Sequence, residues 1–161
     1  MRYVTRVLQP GETIVYASSL HWIIFLRAIL AAIVCVILIV AAIYVSGYQN
    51  QYLSLALWIA AAIFAVLALS AGLRALVRRA ATEFAVTDHR VIYKTGLLGR
   101  HTLEMNRSKI ESVDVDQSIA GRVLDYGTII VRGTGGSLEP IRYVAEPLIF
   151  RSHITAGDFR A

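Results

Sequence analysis

The sequence predicts a two-helix transmembrane hairpin joined to a mainly-β barrel of about seven strands with a C-terminal helix, the first strand preceding the spans. Two long apolar runs, residues 23–45 and 53–73, are split only by the uncharged segment 46–52. Short stretches of strand character separated by turn residues fill the chain after the second run. One further strand candidate, residues 13–18, stands ahead of the first run behind the turn Leu8-Gln9-Pro10-Gly11-Glu12.

Each apolar run matches the roughly 20 helical residues that cross a hydrocarbon core of about 30 Å. The connection is too short to hold a domain, so the spans form an antiparallel hairpin. Arg2, Arg6 and Arg27 precede or open the first run, Arg74, Arg78 and Arg79 close the second, and the connection has no Lys or Arg. Basic residues mark the cytoplasmic side, which places both termini there. Trp22 stands at the inner edge, while Tyr44, Tyr48 and Tyr52 ring the outer turn, where amphipathic rings prefer to lie. Arg27 lies about one turn inside the span, within snorkelling reach of the headgroups. A cleaved secretory signal is a poor reading of a first run with 22 residues ahead of it and a second span directly behind.

The net charge of +5 is unevenly placed. From Ala80 onward ten Lys/Arg face ten Asp/Glu, so the excess belongs to the residues flanking the spans. Such placement describes membrane topology and attraction to anionic lipid, and excludes a nucleic-acid-binding face on the soluble part. Apart from Arg27 the spans hold no ionisable side chain, which argues against a transport path. Ala61, Ala65, Ala68 and Gly72 recur on one face of the second span, as close helix packing or oligomer packing requires. Cys35, the single cysteine, is mid-span and reads as a small apolar packer.

Beyond the spans, strands are expected at 83–87, 90–95, 100–106, 110–117, 126–133 and 138–144, with turns at 88–89, 96–99, 107–109 and 133–136. Val113 and Val115 alternate with Asp114 and Asp116, giving one apolar and one wet face. Glu146-Pro147 starts a helix whose apolar stripe is Leu148, Ile149, Phe150 and Ile154. The domains expected are 1–22, contributing a strand, the hairpin 23–77, and a cytoplasmic domain 78–161.

Seven strands and a closing helix is the count of a pleckstrin-homology (PH) barrel. The stretches LQPGETIVYASSLHW (8–22), TEFAVTDHRVIYKTG (82–96) and IESVDVDQSIAGRVLDYGTIIVRG (110–133) resemble the bacterial membrane PH-domain family, over nearly the whole chain. One departure is Asp125, where a small residue is expected before Tyr126-Gly127. The resemblance implies a two-span hairpin ahead of most of a PH-like domain, a tendency to self-associate, and the inner membrane of a bacterium. It brings no catalytic residues and no ligand.

If the hairpin replaces the loop between strands one and two, it displaces the basic headgroup site that this loop carries in lipid-binding PH domains. Alternating strand direction then points loops 95–99 and 118–126 toward the membrane and 88–89, 107–109 and 133–137 away from it. Leu97, Leu98, Ile119, Val123 and Leu124 make the membrane-side tips apolar, with Arg100 and Arg122 beside them. Two readings stay open: the tips enter the headgroup region, or the leucines plug the barrel end. The far face, with Asp88, Arg107 and Lys109, is left to protein partners.

No metal or catalytic constellation is expected. His21, His89, His101 and His153 are scattered, Ser137 lacks the G-x-S-x-G setting, and Gly133–Gly136 reads as a hairpin turn rather than a phosphate cradle. The sequence therefore predicts no enzyme and no cofactor. It predicts a membrane-anchored interaction or scaffold module, homo-oligomeric or an accessory subunit of a larger membrane complex, or alternatively an anionic-lipid sensor. Lipid-contact candidates are Trp22, Arg27, Arg74, Arg78, Arg79, Leu97, Leu98, Arg100, Arg122 and Leu124.

Overall fold

Gln9-Pro10-Gly11-Glu12 closes a tight turn, with the Glu12 N–H donating to the Gln9 carbonyl at 2.9 Å and Gly11 at φ 88°. Pro presets the first central position of such a turn, and the positive φ of the second suits Gly. The computed structural model describes residues 3–47, 50–96, 99, 101–134 and 138–156. These form two compact units, one running Trp22–Val77, the other made of the segments before and after it.

The helical unit opens with a single 3-10 turn, Trp22–Phe25, followed by α2, Leu26–Ser46, and α3, Gln51–Ala81, which runs on into the second unit. Both helices are long and apolar enough to cross a membrane, and little of either is buried. Among the described residues of this unit only Ala42, Ala61 and Ala75 are buried. Small side chains let the two backbones approach: Cys35 Sγ donates to the Ala61 carbonyl at 3.3 Å, and a Cβ on Gly72 would stand 3.7 Å from that of Ala28. The helix outlasts the apolar run by eight residues (74–81), because Ala, Leu and Arg favour helix whether or not they are apolar.

In the other unit, α1 (Val4–Val7) precedes β1 (Ile14–Ser18), and the chain resumes after α3 with β2 (Glu83–Thr87), β3 (Arg90–Thr95) and β4 (His101–Asn106). A 3-10 turn, Arg107–Lys109, leads to β5 (Ile110–Asp116), α4 (Ile119–Leu124), β6 (Tyr126–Gly133), β7 (Leu138–Ala145) and α5 (Pro147–Thr155). The strands form two antiparallel sheets, β1-β2-β3-β4 and β5-β6-β7. They join where Leu20, just past β1, bridges Val144 of β7. Among the described residues β4 pairs only with β3 and β5 only with β6, which leaves the barrel open between them. Phe84, Ile92, Ile129, Ile141, Val131 and Phe150 fill the interior. The first strand thus precedes the two apolar helices, and seven strands and a C-terminal helix complete the domain.

Two local expectations are corrected. Residues 118–126 are not a loop: Ser118 accepts from the Gly121 N–H at 3.1 Å and caps α4, a residue pattern too short to show helical periodicity. In α5 the buried stripe is Pro147, Phe150 and Ile154, spaced three and four apart, so Leu148 and Ile149 turn outward. Gly135, Gly136 and Ser137, and the aromatic Tyr48, lie outside the described residues.

Buried charge ties the N-terminal segment to strands that follow the helices. Glu12, its side chain only 2% exposed, accepts from Arg90 Nε and Nη2, both at 2.9 Å, and from Thr87 Oγ1 at 2.7 Å. Arg90 also donates to the Val7 carbonyl and to Glu104 Oε2, both at 2.6 Å. Glu83 accepts the N–H groups of Tyr3 and Val4 at 3.0 and 3.1 Å, so its carboxylate sits at the positive end of α1. Burial opposes its ionisation, yet those two donors together with nearby positive charge such as Lys94 hold its pKa below the ordinary value. Asp88 and Arg107, expected on the face left to partners, both bond within the chain, Asp88 while still exposed. Asp88 accepts from the Thr13 N–H at 3.1 Å, and Arg107 Nη2 donates to the last carbonyls of α5, those of His153 and Ile154, at 2.7 and 2.8 Å.

Removing the guanidinium would strand Glu12 unpaired in the interior. Arg90→Ala is expected to cost roughly 3–5 kcal/mol, read as a lowered melting midpoint of the detergent-solubilised chain. The Arg90 hydrogen bond, working against burial, lowers the Glu12 pKa to about 2 from its ordinary 4.5. A depressed carboxylate stabilises the fold fully above the unfolded value and loses that contribution as pH falls through the folded one. Melting curves between pH 4.5 and 2 should therefore fall less steeply for Glu12→Gln than for the parent chain.

Candidate functional site

Strand register gathers the described candidates of the barrel domain at one end. β1 ends and β2 begins there, since Ser18 pairs with Phe84. β7 ends there too, with the His21 N–H donating to the Tyr143 carbonyl at 2.8 Å and Ala145 to that of Ser19 at 3.3 Å. The domain's chain therefore leaves at His21 and returns at Arg78 from the end that carries α4 and the start of α5.

An aromatic row lines this exit. The His21 ring stacks on Tyr126 at 5.3 Å, Tyr126 lies 6.4 Å from Tyr143, and the Arg78 guanidinium stands 5.4 Å over Tyr143. Burial lowers the pKa of His21 and Arg79 adds to that, against the Asp125 carboxylate and a bond to the Leu124 carbonyl. Tyr143 sits at φ 63°, in a bulge where two residues of β7, Arg142 and Tyr143, face Thr128 alone. Sequence reading missed this row because neither spacing nor type distinguishes these tyrosines from ordinary strand aromatics.

α4 stands beside the row with Ile119 86% and Val123 78% exposed, and Arg122 and Leu124 also on the surface. It ends at Asp125, at φ 55°, whose carbonyl accepts from the Glu146 N–H at 3.1 Å. That left-handed position explains the departure noted at Asp125: Asp tolerates a conformation that most side chains avoid. An open cavity of about 500 Å³ lies between β5, α4 and α5, lined in part by Val115, Asp116, Arg122, Asp125, Leu148 and Arg151.

The remaining candidates fall elsewhere. Trp22, Arg27 and Arg74 belong to the helical unit and are exposed, with Arg74 Nη2 donating to Ser70 Oγ at 3.2 Å. Of the small-residue face, Ala61 is buried, Ala68 and Gly72 are half-buried, and Ala65 is exposed. Leu97, Leu98 and Arg100 lie outside the described residues. Among the described residues no three His, Cys, Asp or Glu side chains gather as metal ligands would.

The family model described as "Bacterial PH domain" matches residues 53–156, well over half of the chain. The chain belongs to the bacterial PH domain family. No curated protein and no solved structure matches it. The match takes in α3 from its third residue and everything from β2 to α5, and leaves α2 and β1 outside.

Within this PH domain the end of β5 at Asp116, with Gln117 just past it, and the first residue of α5 all crowd Gly127 of β6. A Cβ there would stand 2.8 Å from Gln117 Cγ, 2.9 Å from the Asp116 carbonyl oxygen and 3.1 Å from Pro147 Cγ. The backbone oxygen cannot yield, so Gly127→Ala is expected to destabilise the PH domain by roughly 1–3 kcal/mol in thermal melts.

Proposed function

We propose that this chain is a membrane-anchored interaction module, its PH domain held at the cytoplasmic face of the bacterial inner membrane. It works as a homo-oligomer or as an accessory subunit of a larger membrane complex, and no catalytic role is assigned to it. The observation that carries this reading is the open side of the barrel, where, among the described residues, β4 and β5 each keep one edge without a strand partner. A strand edge offers a row of backbone donors and acceptors that a second chain can pair with. The distribution of charge and apolar surface between the spans and the domain supports the anchoring. The native mass of the complex extracted in mild detergent, with its composition read by mass spectrometry, tests the reading. A pure multiple of 17.7 kDa is expected for a self-assembled scaffold, and a larger co-purifying complex for an accessory subunit. A strict monomer that captures no partner after crosslinking in cells would sink it.

Contact of the domain with lipid is a second reading, favoured by Ile119 and Val123, large apolar side chains left exposed on a helix that also bears Arg122. Such a helix suits the headgroup boundary, and basic residues nearby add attraction to anionic lipid. A fluorophore at Val123 in the reconstituted chain should be quenched by lipid spin-labelled near the headgroup. Absence of quenching at every label depth would refute this contact.

A further inference from the structure

The cavity between β5, α4 and α5 is lined by side chains of both charges. Its walls carry two guanidiniums, Arg122 and Arg151, and two carboxylates, Asp116 and Asp125, all four residues exposed. Among the described residues none of the four forms an ion pair, although Arg90–Glu12, Arg90–Glu104 and Arg132–Asp114 do. Opposite charges that share a cavity without closing on each other leave both signs available to a ligand. A simple anion would meet the carboxylates and a simple cation the guanidiniums. A ligand bearing a phosphate and an ammonium a few bonds apart satisfies both and matches the net charge of zero.

The cavity also has apolar lining, from Val115 and from Leu148, which is 56% exposed. Its volume lies within the usual range for small-molecule sites. Ile119 and Val123 are exposed on the helix that supplies Arg122. We propose that this cavity binds a phosphoethanolamine-type group, its phosphate held by Arg122 and Arg151 and its primary ammonium by Asp116 and Asp125. The group is carried by a phospholipid headgroup or by a soluble glycerophosphodiester. This site is independent of the strand-edge reading above, and it differs from simple attraction to anionic lipid in requiring the two carboxylates.

The test uses the full chain in detergent micelles with equal amounts of phosphatidylethanolamine, phosphatidylglycerol and phosphatidylcholine, and reads retained lipid by native mass spectrometry. The parent chain should retain phosphatidylethanolamine over phosphatidylglycerol by about fivefold or more, as one favourable charge contact at a membrane surface supports. Arg122→Gln/Arg151→Gln should lower retention of both lipids. Asp116→Asn/Asp125→Asn should abolish or invert the preference while phosphatidylglycerol is still held, a change of selectivity that loss of fold would not produce. Asn keeps the left-handed conformation of Asp125 accessible, and Lys109→Gln, at the opposite end of the barrel, should leave the ratio unchanged. Added glycerophosphoethanolamine that displaces the lipid at comparable concentration would identify a soluble source, and failure to compete a membrane one. An unchanged lipid ratio in the Asp116→Asn/Asp125→Asn variant overturns the proposal. So does a polypeptide that the parent chain retains and both variants lose while the lipid ratio stays constant.

Discussion

A domain whose first strand is separated from its second by two long helices has to secure that strand without help from a short connection. Here the securing contact is Glu12 with Arg90, a buried carboxylate and a largely buried guanidinium joined by two hydrogen bonds of 2.9 Å. Much else hangs from Arg90. Through it the Val7 carbonyl, β3 and the Glu104 side chain of β4 are joined, and Thr87 of β2 meets the same carboxylate. Glu83 holds the N–H groups that open α1, and Val4 then packs against Ala85 and Ile92. A buried pair of this kind gains little over an apolar contact of equal size but is costly to break from one side. It therefore specifies where the segment goes more than it adds to stability.

Two sets of charged residues in the domain differ in what they meet. Glu12, Glu83, Asp88, Arg90 and Arg107 all have internal partners and hold the architecture. Asp116, Arg122, Asp125 and Arg151 line one cavity and stay on the surface. A near-balance of total charge, which in composition alone suggests an inert surface, conceals this division of labour.

Sequence reading recovered the frame because its signals are strong and local. The apolar runs, the Pro-Gly turn before β1 and the strand segments from 83 to 145 are legible in residue type and period, and β2, β3 and β6 begin and end where alternation and turn residues place them. What escaped was what depends on distance along the chain. Nothing near Glu12 indicates that its partner is 78 residues away, and nothing near Arg107 indicates that it closes α5. α4 escaped for a different reason: six residues are under two turns, so its cap at Ser118 is its main signature. The cavity is not legible in the sequence: Arg122 reads as a lipid-contact candidate, Asp116 as one of a solvated pair, and Asp125 only as an odd residue in a family motif.

The bulge that Val15 makes between its paired neighbours Ile14 and Tyr16 belongs to a strand that must wait for its partner. During synthesis β1 emerges first, and some 65 residues of apolar helix and turn follow before β2 exists. At typical elongation rates that interval is on the order of several seconds, long compared with the microseconds in which a local hairpin closes. Through it β1 is a solitary strand with nothing native to pair with, and the barrel cannot close until the second helix has been made. Assembly of the barrel domain thus waits on synthesis of both helices. A chain whose synthesis stalls within them leaves its first strand unclaimed.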